Sequence, residues 1–261
     1  MALAPHDSAP PAPLREREEL PRMGLLDHLD ELRWRILYTL IAVFVAFLGC
    51  WQFRKQVTAF LIRPIEKLLP EGERLVVLGV QDMFLFYFKV AALAAVFVAA
   101  PIILWQAWRF IAPGLYRSER LYAFTFVTAG TLFFLGGGAF AYYIAFPFAT
   151  EFLLGMGSDQ FATAITAERY LRFLLTVILG LGLMFELPVV IFVLSQAGIV
   201  TPRFLMRHFR WAVLIIFIVA AVITPTPDVV NLCVFALPTL LLYLLGVGAA
   251  ALVQWRKKPR A

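Results

Sequence analysis

Four acidic stretches carry the groups in this sequence that are able to do chemistry. In "DHLDELRWRI", residues 27–36, the charges Asp27, Asp30, Glu31, Arg33 and Arg35 run directly into the apolar stretch "ILYTLIAVFVAFLGC". Leu25, Leu29, Leu32 and Ile36 recur at helical spacing, which predicts an amphipathic helix continuous with that stretch, its charges on the other faces. Glu31 and Arg35 are four residues apart, and Asp30 and Arg33 three apart, so intrahelical ion pairs are one reading. A carboxylate held at a membrane edge to accept hydrogen bonds from a cationic ligand is the other. In "WRFIAPGLYRSER", residues 108–120, Pro113-Gly114 ends a helix and leaves Arg117, Glu119 and Arg120 in a short turn. A single loop glutamate is by default a solvated charge, yet one fixed in such a turn is also available to a partner.

Glu186 stands apart from these. It lies inside "LGLGLMFELPVVIFVL", with Pro188 two residues on. An ionisable group at that depth costs about 3 kcal/mol even on gentle scales, so it is expected to face protein or water, with a functional role as the default. Asp228 follows Thr224-Pro225-Thr226-Pro227, where an aspartate before a helix reads first as an N-cap. No phosphate-binding loop, H-E-x-x-H or G-x-S-x-G motif occurs, and His6, His28 and His208 are scattered. An enzyme is not expected, nor any cofactor or metal.

The elements that hold these groups follow from composition. With 62% apolar and 15% charged residues over 261 positions and a mean hydropathy of +0.83, the chain has too much hydrocarbon for a water-soluble core. Its apolar residues come in long blocks, which predicts helices and not a membrane barrel. The blocks are Ile36–Phe53, Met83–Ile111, Leu121–Phe146, Tyr170–Leu194, Trp211–Thr224 and Val229–Val253. The expected fold is therefore an all-α integral membrane protein with six transmembrane helices. The fifth is too short for a full crossing, and the sixth, carrying Asn231 and Pro238, is expected to be short or kinked. Gly136-Gly137-Gly138 is expected to permit close helix approach or a bend.

Arginine and lysine set the orientation. Five precede the first block, three lie from the last turn of the second to the start of the third (Arg109, Arg117 and Arg120), three between the fourth and fifth, and four follow the sixth; the opposite side carries five between the first and second and two at the start of the fourth (Arg169 and Arg172). Both termini are thus expected in the cytoplasm. The pI of 9.5 reports that bias and gives no reason to invoke nucleic acid. Residues 1–22 are Pro-rich, acidic and without an apolar core, so they read as a disordered cytoplasmic tail and not as a cleavable signal. Residues 23–253 form the membrane domain, and 254–261 a basic cytoplasmic tail.

Taken in order, "HLDELRWRI", "RPIEKLLP", "WRFIAPGLYRSER", "FELPV" and "TPTPD" resemble the TatC family of twin-arginine protein translocases, over roughly residues 23–253. The resemblance implies a concave bundle in the cytoplasmic (inner) membrane of a bacterium. That bundle would be the core receptor subunit of a system that exports folded proteins on the proton-motive force. It implies that Glu119 is a principal acidic contact for the paired arginines of a signal peptide. Phe110 would help shape that site, Glu31 and Arg33 would form its N-terminal half, and Arg120 would belong to the same patch. Pro64 would lie in the first external loop, which caps the concave face. Glu186 would face the concavity, where a signal peptide or a small partner subunit meets it, and Asp228 would match the acidic residue of the family's "TPPD" turn. The family often has Gln four residues beyond that Asp; here Leu232 stands there, beside Asn231, a candidate polar contact for a partner helix. TatA-type and TatB-type single-span subunits and further copies of the chain are the implied partners, since six helices are too few for a folded protein to pass between. The rival from another class is a small-solute or ion-coupled secondary transporter, which calls for internal repeats with paired broken helices.

Overall fold

The computed structural model describes residues 25–69, 73–111, 123–156, 164–224 and 228–257. The expected N-terminal tail, residues 1–22, lies outside the described residues. Within them the protein is helical apart from short connections and one isolated β-bridge, Val76 with Thr166.

Helix α1, Leu25–Gln52, begins in the charged lead-in and continues unbroken through the first apolar block. Its outer face keeps Leu40, Phe44, Val45 and Leu48 exposed, as suits a helix solvated by lipid. The other side packs on α3, Asp82–Ile111, through Phe47 against Phe88 and Trp51 against Phe84, with ring centroids 5.0 and 5.8 Å apart. Between them lies α2, Arg54–Glu66. A third long rod combines α4, Ala123–Phe140, a π-helical turn Ala141–Ala145 and α5, Phe146–Gly155. The wider turn falls just before Pro147, whose ring cannot fit against the carbonyl four residues back in a regular α-helix. The fourth crossing is split into α6, Ala167–Phe185, and α7, Leu187–Gln196. A one-and-a-half-turn α8, Pro202–Arg207, leads into α9, Phe209–Ile223, and the last crossing is α10, Val229–Lys257.

Among the described residues, five rods are long and apolar enough to cross a membrane. The fifth apolar block is short as expected: 15 residues of α9 rise only about 22 Å. The sixth is not short, for α10 runs 29 residues and continues through Pro238. Proline costs a helix one N–H bond and the room for one carbonyl, and the flanking turns here are fixed by burial. Phe235 and Ala236 are fully buried and Thr239 is 1% exposed, its hydroxyl donating back to the Phe235 carbonyl.

Packing runs in sequence from α1 to α3, α3 to α4, α4 to α6, and then through α7 and α10 to α9. The bundle is an arc of neighbours, with α1 and α9 at its ends. The core sits where α6 meets the others, around Leu171, Leu174, Val177, Leu181, Phe146 and Phe235.

The triple glycine divides its roles. A Cβ on Gly137 would lie 2.8 Å from the Leu181 carbonyl oxygen and from Phe185 Cβ, and one on Gly138 would strike the Phe97 ring, whereas Gly136 has open space around it. Close approach of α4 to α6 therefore depends on Gly137, where the obstacle is backbone. Gly137→Ala is expected to lower the stability of the detergent-solubilised protein by about 1–3 kcal/mol, and Gly136→Ala to leave it unchanged or slightly raised. Thermal unfolding followed by loss of the monodisperse species checks both.

Candidate functional site

The break between α6 and α7 is a local consequence of Pro188. Its nitrogen carries no hydrogen and its ring collides with the carbonyl of residue 184, so the helix opens one turn earlier. Glu186 sits in the opening, with φ −70° and ψ −12°. Its N–H donates to the Leu183 carbonyl at 3.1 Å, and its own carbonyl accepts from Val189 and Val190 at 3.0 and 2.9 Å, so the backbone is satisfied across the break. The side chain reaches α4 at a glycine. A Cβ on Gly130 would lie 3.2 Å from Glu186 Oε2 and 3.1 Å from Leu104 of α3. Glu186 Oε1 is buried with no hydrogen-bond partner among the described residues, as are Gln106 Oε1 on α3 and Thr131 Oγ1 on α4. Unsatisfied oxygens at membrane depth are rare because each costs a lost hydrogen bond. Each keeps the capacity to bond a polar group brought in from outside the chain.

At the end of the bundle where α1 starts and α3 finishes, Glu31 and Arg35 form the i,i+4 ion pair, both largely covered. Asp30 and Arg33 make no such pair with each other, and Arg33 is exposed. The guanidinium that positions Glu31 is thus Arg35, one turn along, and not Arg33. Phe110 lies in the last turn of α3, half-buried, two residues after the buried Trp108, which stacks on Phe126 of α4 at 4.9 Å. That aromatic contact ties the end of α3 to the start of α4. Glu119 and Arg120 fall between those helices and lie outside the described residues.

Asp228 caps α10. Its Oδ1 accepts from the Asn231 backbone N–H at 2.7 Å, and its Oδ2 from the Asn231 side-chain amide at 2.9 Å. The first is the N-cap-to-N3 bond. Asn231 is 1% exposed, so this side chain is part of the chain's own core at the turn.

Pro64 lies within α2 and not in an open loop. As an interior proline it leaves the Phe60 carbonyl without its helical donor, and the Tyr142 hydroxyl donates to that oxygen at 2.5 Å with the Phe60 and Tyr142 rings stacked at 4.4 Å. The buried Tyr170 hydroxyl donates to the next carbonyl, Leu61, at 2.6 Å. These two tyrosines escape a sequence reading, although the orphan carbonyl implied by Pro64 is a signal that some donor must arrive. The connection after α2 is held as well, since Val76 N–H donates to the Ile165 carbonyl and Ala167 N–H to the Val76 carbonyl, both at 2.9 Å. No group of His, Cys, Asp or Glu able to hold a metal ion occurs among the described residues.

An arc of membrane-length helices with an acidic lead-in, a helix clamped by two tyrosines and a glutamate in a broken fourth crossing describes a polytopic membrane protein. A profile of the family described as "Sec-independent protein translocase protein (TatC)" matches residues 27–238, and the chain belongs to that family. Similar proteins include the TatC proteins of Koribacter versatilis (strain Ellin345), 45% identical over 91% of this chain and 89% of the relative, and of Helicobacter pylori (strain J99 / ATCC 700824), 42% identical over 88% and 90%. The fold is similar to a crystal structure of the twin arginine translocase receptor TatC, with TM-score 0.75 and 34% identity over 87% of this chain and 99% of that one. The family is one of protein translocation and not of enzymes.

Tyr142→Phe keeps the ring stack and removes the only hydroxyl bonded to the Phe60 carbonyl among the described residues. It is expected to cost about 1 kcal/mol, the net worth of a hydrogen bond to a partly buried carbonyl. Faster amide hydrogen exchange across α2, with exchange in α10 unchanged, checks this.

Proposed function

We propose that the protein is the receptor subunit of a bacterial twin-arginine translocase, lying in the inner membrane with both termini in the cytoplasm. It binds paired-arginine signal peptides at the cytoplasmic edge and exports folded cargo, using the proton-motive force, together with TatA-type and TatB-type single-span subunits and further copies of itself. The observation that carries this reading is similarity over nine-tenths of the chain to proteins named for that system, joined to an acidic lead-in that supplies the right chemistry. An arginine pair presents planar forks of donors, which separated carboxylates accept in charge-assisted bonds that lysine cannot reproduce.

In this reading Glu119 and Glu31 are the acceptors, Phe110 shapes the floor between them, and Arg33 and Arg120 limit repulsion within the patch. Arg35 fixes the rotamer of Glu31, which lowers the ordering cost when the peptide arrives. Glu186 receives a polar segment of the peptide or of a partner helix, where bonding to the unpaired oxygens repays the depth at which they are held. Asp228 and Asn231 present the external turn to a partner helix, and Pro64 with its tyrosine clasp keeps the external cap over the arc. A solute transporter calls for paired broken helices around a midplane site, and continuous α10 offers no mate for the α6–α7 break.

The test is binding of a labelled twin-arginine signal peptide to the purified protein. Changing both arginines to lysine, or Glu119→Ala in the protein, is expected to weaken binding at least about tenfold, the size of one lost charge-assisted hydrogen bond. Equal binding of arginine and lysine peptides would reject the arginine-pair receptor.

A further inference from the structure

A second polar site lies on the opposite side of the membrane from the acidic edge, and the translocase reading makes no use of it. Where α3 and α6 begin, a cleft of about 220 Å³ is lined by Asp82 and Lys89 of α3 and Glu168 of α6, over an apolar floor of Phe86 and Leu171. Lys89 is the only cation between Asp82 and Ile111 apart from Arg109 in the last turn. It is half-buried and makes no ion pair or hydrogen bond among the described residues. Both carboxylates keep an oxygen free for another donor. Asp82 Oδ2 accepts from the Gly79 N–H at 2.7 Å and Glu168 Oε1 from Arg172 at 2.7 Å, which leaves Asp82 Oδ1 and Glu168 Oε2.

The charges are ordered by depth. Lys89 is seven residues beyond Asp82, so its backbone lies about 10 Å further along the helix axis, and its side chain lines the cleft. The deeper charge is therefore positive and the outer two are negative. A phospholipid whose headgroup ends in a primary amine has the complementary order, with the phosphate next to the glycerol and the ammonium beyond it. A purely anionic headgroup would meet the carboxylates, and a trimethylammonium group has no N–H to give them. The apolar floor continues in the direction the acyl chains must take.

We propose that this cleft binds the headgroup of a phosphatidylethanolamine-type phospholipid from the outer leaflet, its phosphate on Lys89 and its ammonium between Asp82 and Glu168. The lipid thereby closes the seam between α3 and α6 at the end where the external connections meet. The choice of leaflet rests on the proposed orientation; the headgroup assignment does not rest on the signal-peptide reading.

Native mass spectrometry of the full chain tests it, using equimolar phosphatidylethanolamine, phosphatidylcholine and phosphatidylglycerol with identical acyl chains. The ethanolamine lipid is expected to be retained about fivefold over each of the others, the worth of one net charge-assisted contact. Lys89→Gln is expected to lower retention of all three lipids, since each carries the phosphate, Lys89→Arg to preserve it, and Glu168→Gln to lower the preference for the ethanolamine lipid while leaving the protein monodisperse. Equal retention of the three lipids, an undiminished preference in Glu168→Gln, or undiminished retention in Lys89→Gln overturns the proposal. Soluble glycerophosphoethanolamine is expected to compete only weakly. Its full displacement of the lipid at equal concentration would assign the cleft to a free phosphoamine and overturn the lipid as occupant.

Discussion

Hydrocarbon offers no hydrogen bonds, and the structure is organised by how each polar group at membrane depth is satisfied. Prolines raise the problem repeatedly, because each one in a helix strips a carbonyl of its donor. At Pro64 the Tyr142 hydroxyl crosses 82 residues of sequence to replace the missing N–H. Near Pro147 the helix widens into a π turn. At Pro188 the helix breaks, and the break is where Glu186 enters. A proline two residues after a glutamate thus explains both the interruption and the placement of a carboxylate against Gly130, where an added Cβ would lie 3.2 Å from it.

The same constraint separates structural from functional polar groups. Asp228, Asn231 and Thr239 are bonded within the chain, to a helix N-terminus, to an aspartate and to a carbonyl. Glu31 is braced by Arg35. Buried oxygens of Glu186, Gln106 and Thr131 are left with bonding capacity. In the proposed reading, recognition of arginines at one end and reception of a polar segment at Glu186 would share a physical basis, each using acceptors that the fold holds in place and the ligand completes.

Local pattern made much of this legible. The apolar blocks, the short fifth helix, the cap at Asp228 and the anomaly of Glu186 beside Pro188 all follow from spacing within a few residues. The five motifs suffice to reach the TatC family because their order constrains every span. What local pattern does not carry is the reply of distant parts of the chain. Pro238 is locally a helix breaker, yet α10 continues because buried neighbours hold its turns. Pro64 suggests a loop, yet α2 survives because two tyrosines on other helices serve its carbonyls. The Glu31–Arg35 and Asp30–Arg33 pairs are equally allowed by spacing, and of these two only the first forms, since choice among rotamers belongs to tertiary packing.

The central claim is that Glu186 faces a sheltered polar surface and not the lipid. It is tested most directly with thiol accessibility in proteoliposomes, starting from a chain carrying Cys50→Ser and Cys233→Ser. Glu186→Cys in that background is expected to react with a water-soluble thiol reagent, because such reagents attack the thiolate that forms only where water reaches. Leu183→Cys, at a position 66% exposed on the outside of α6, is expected to react only with a lipid-soluble reagent. If position 186 behaved as position 183 does, the carboxylate would be facing lipid and the account would be wrong.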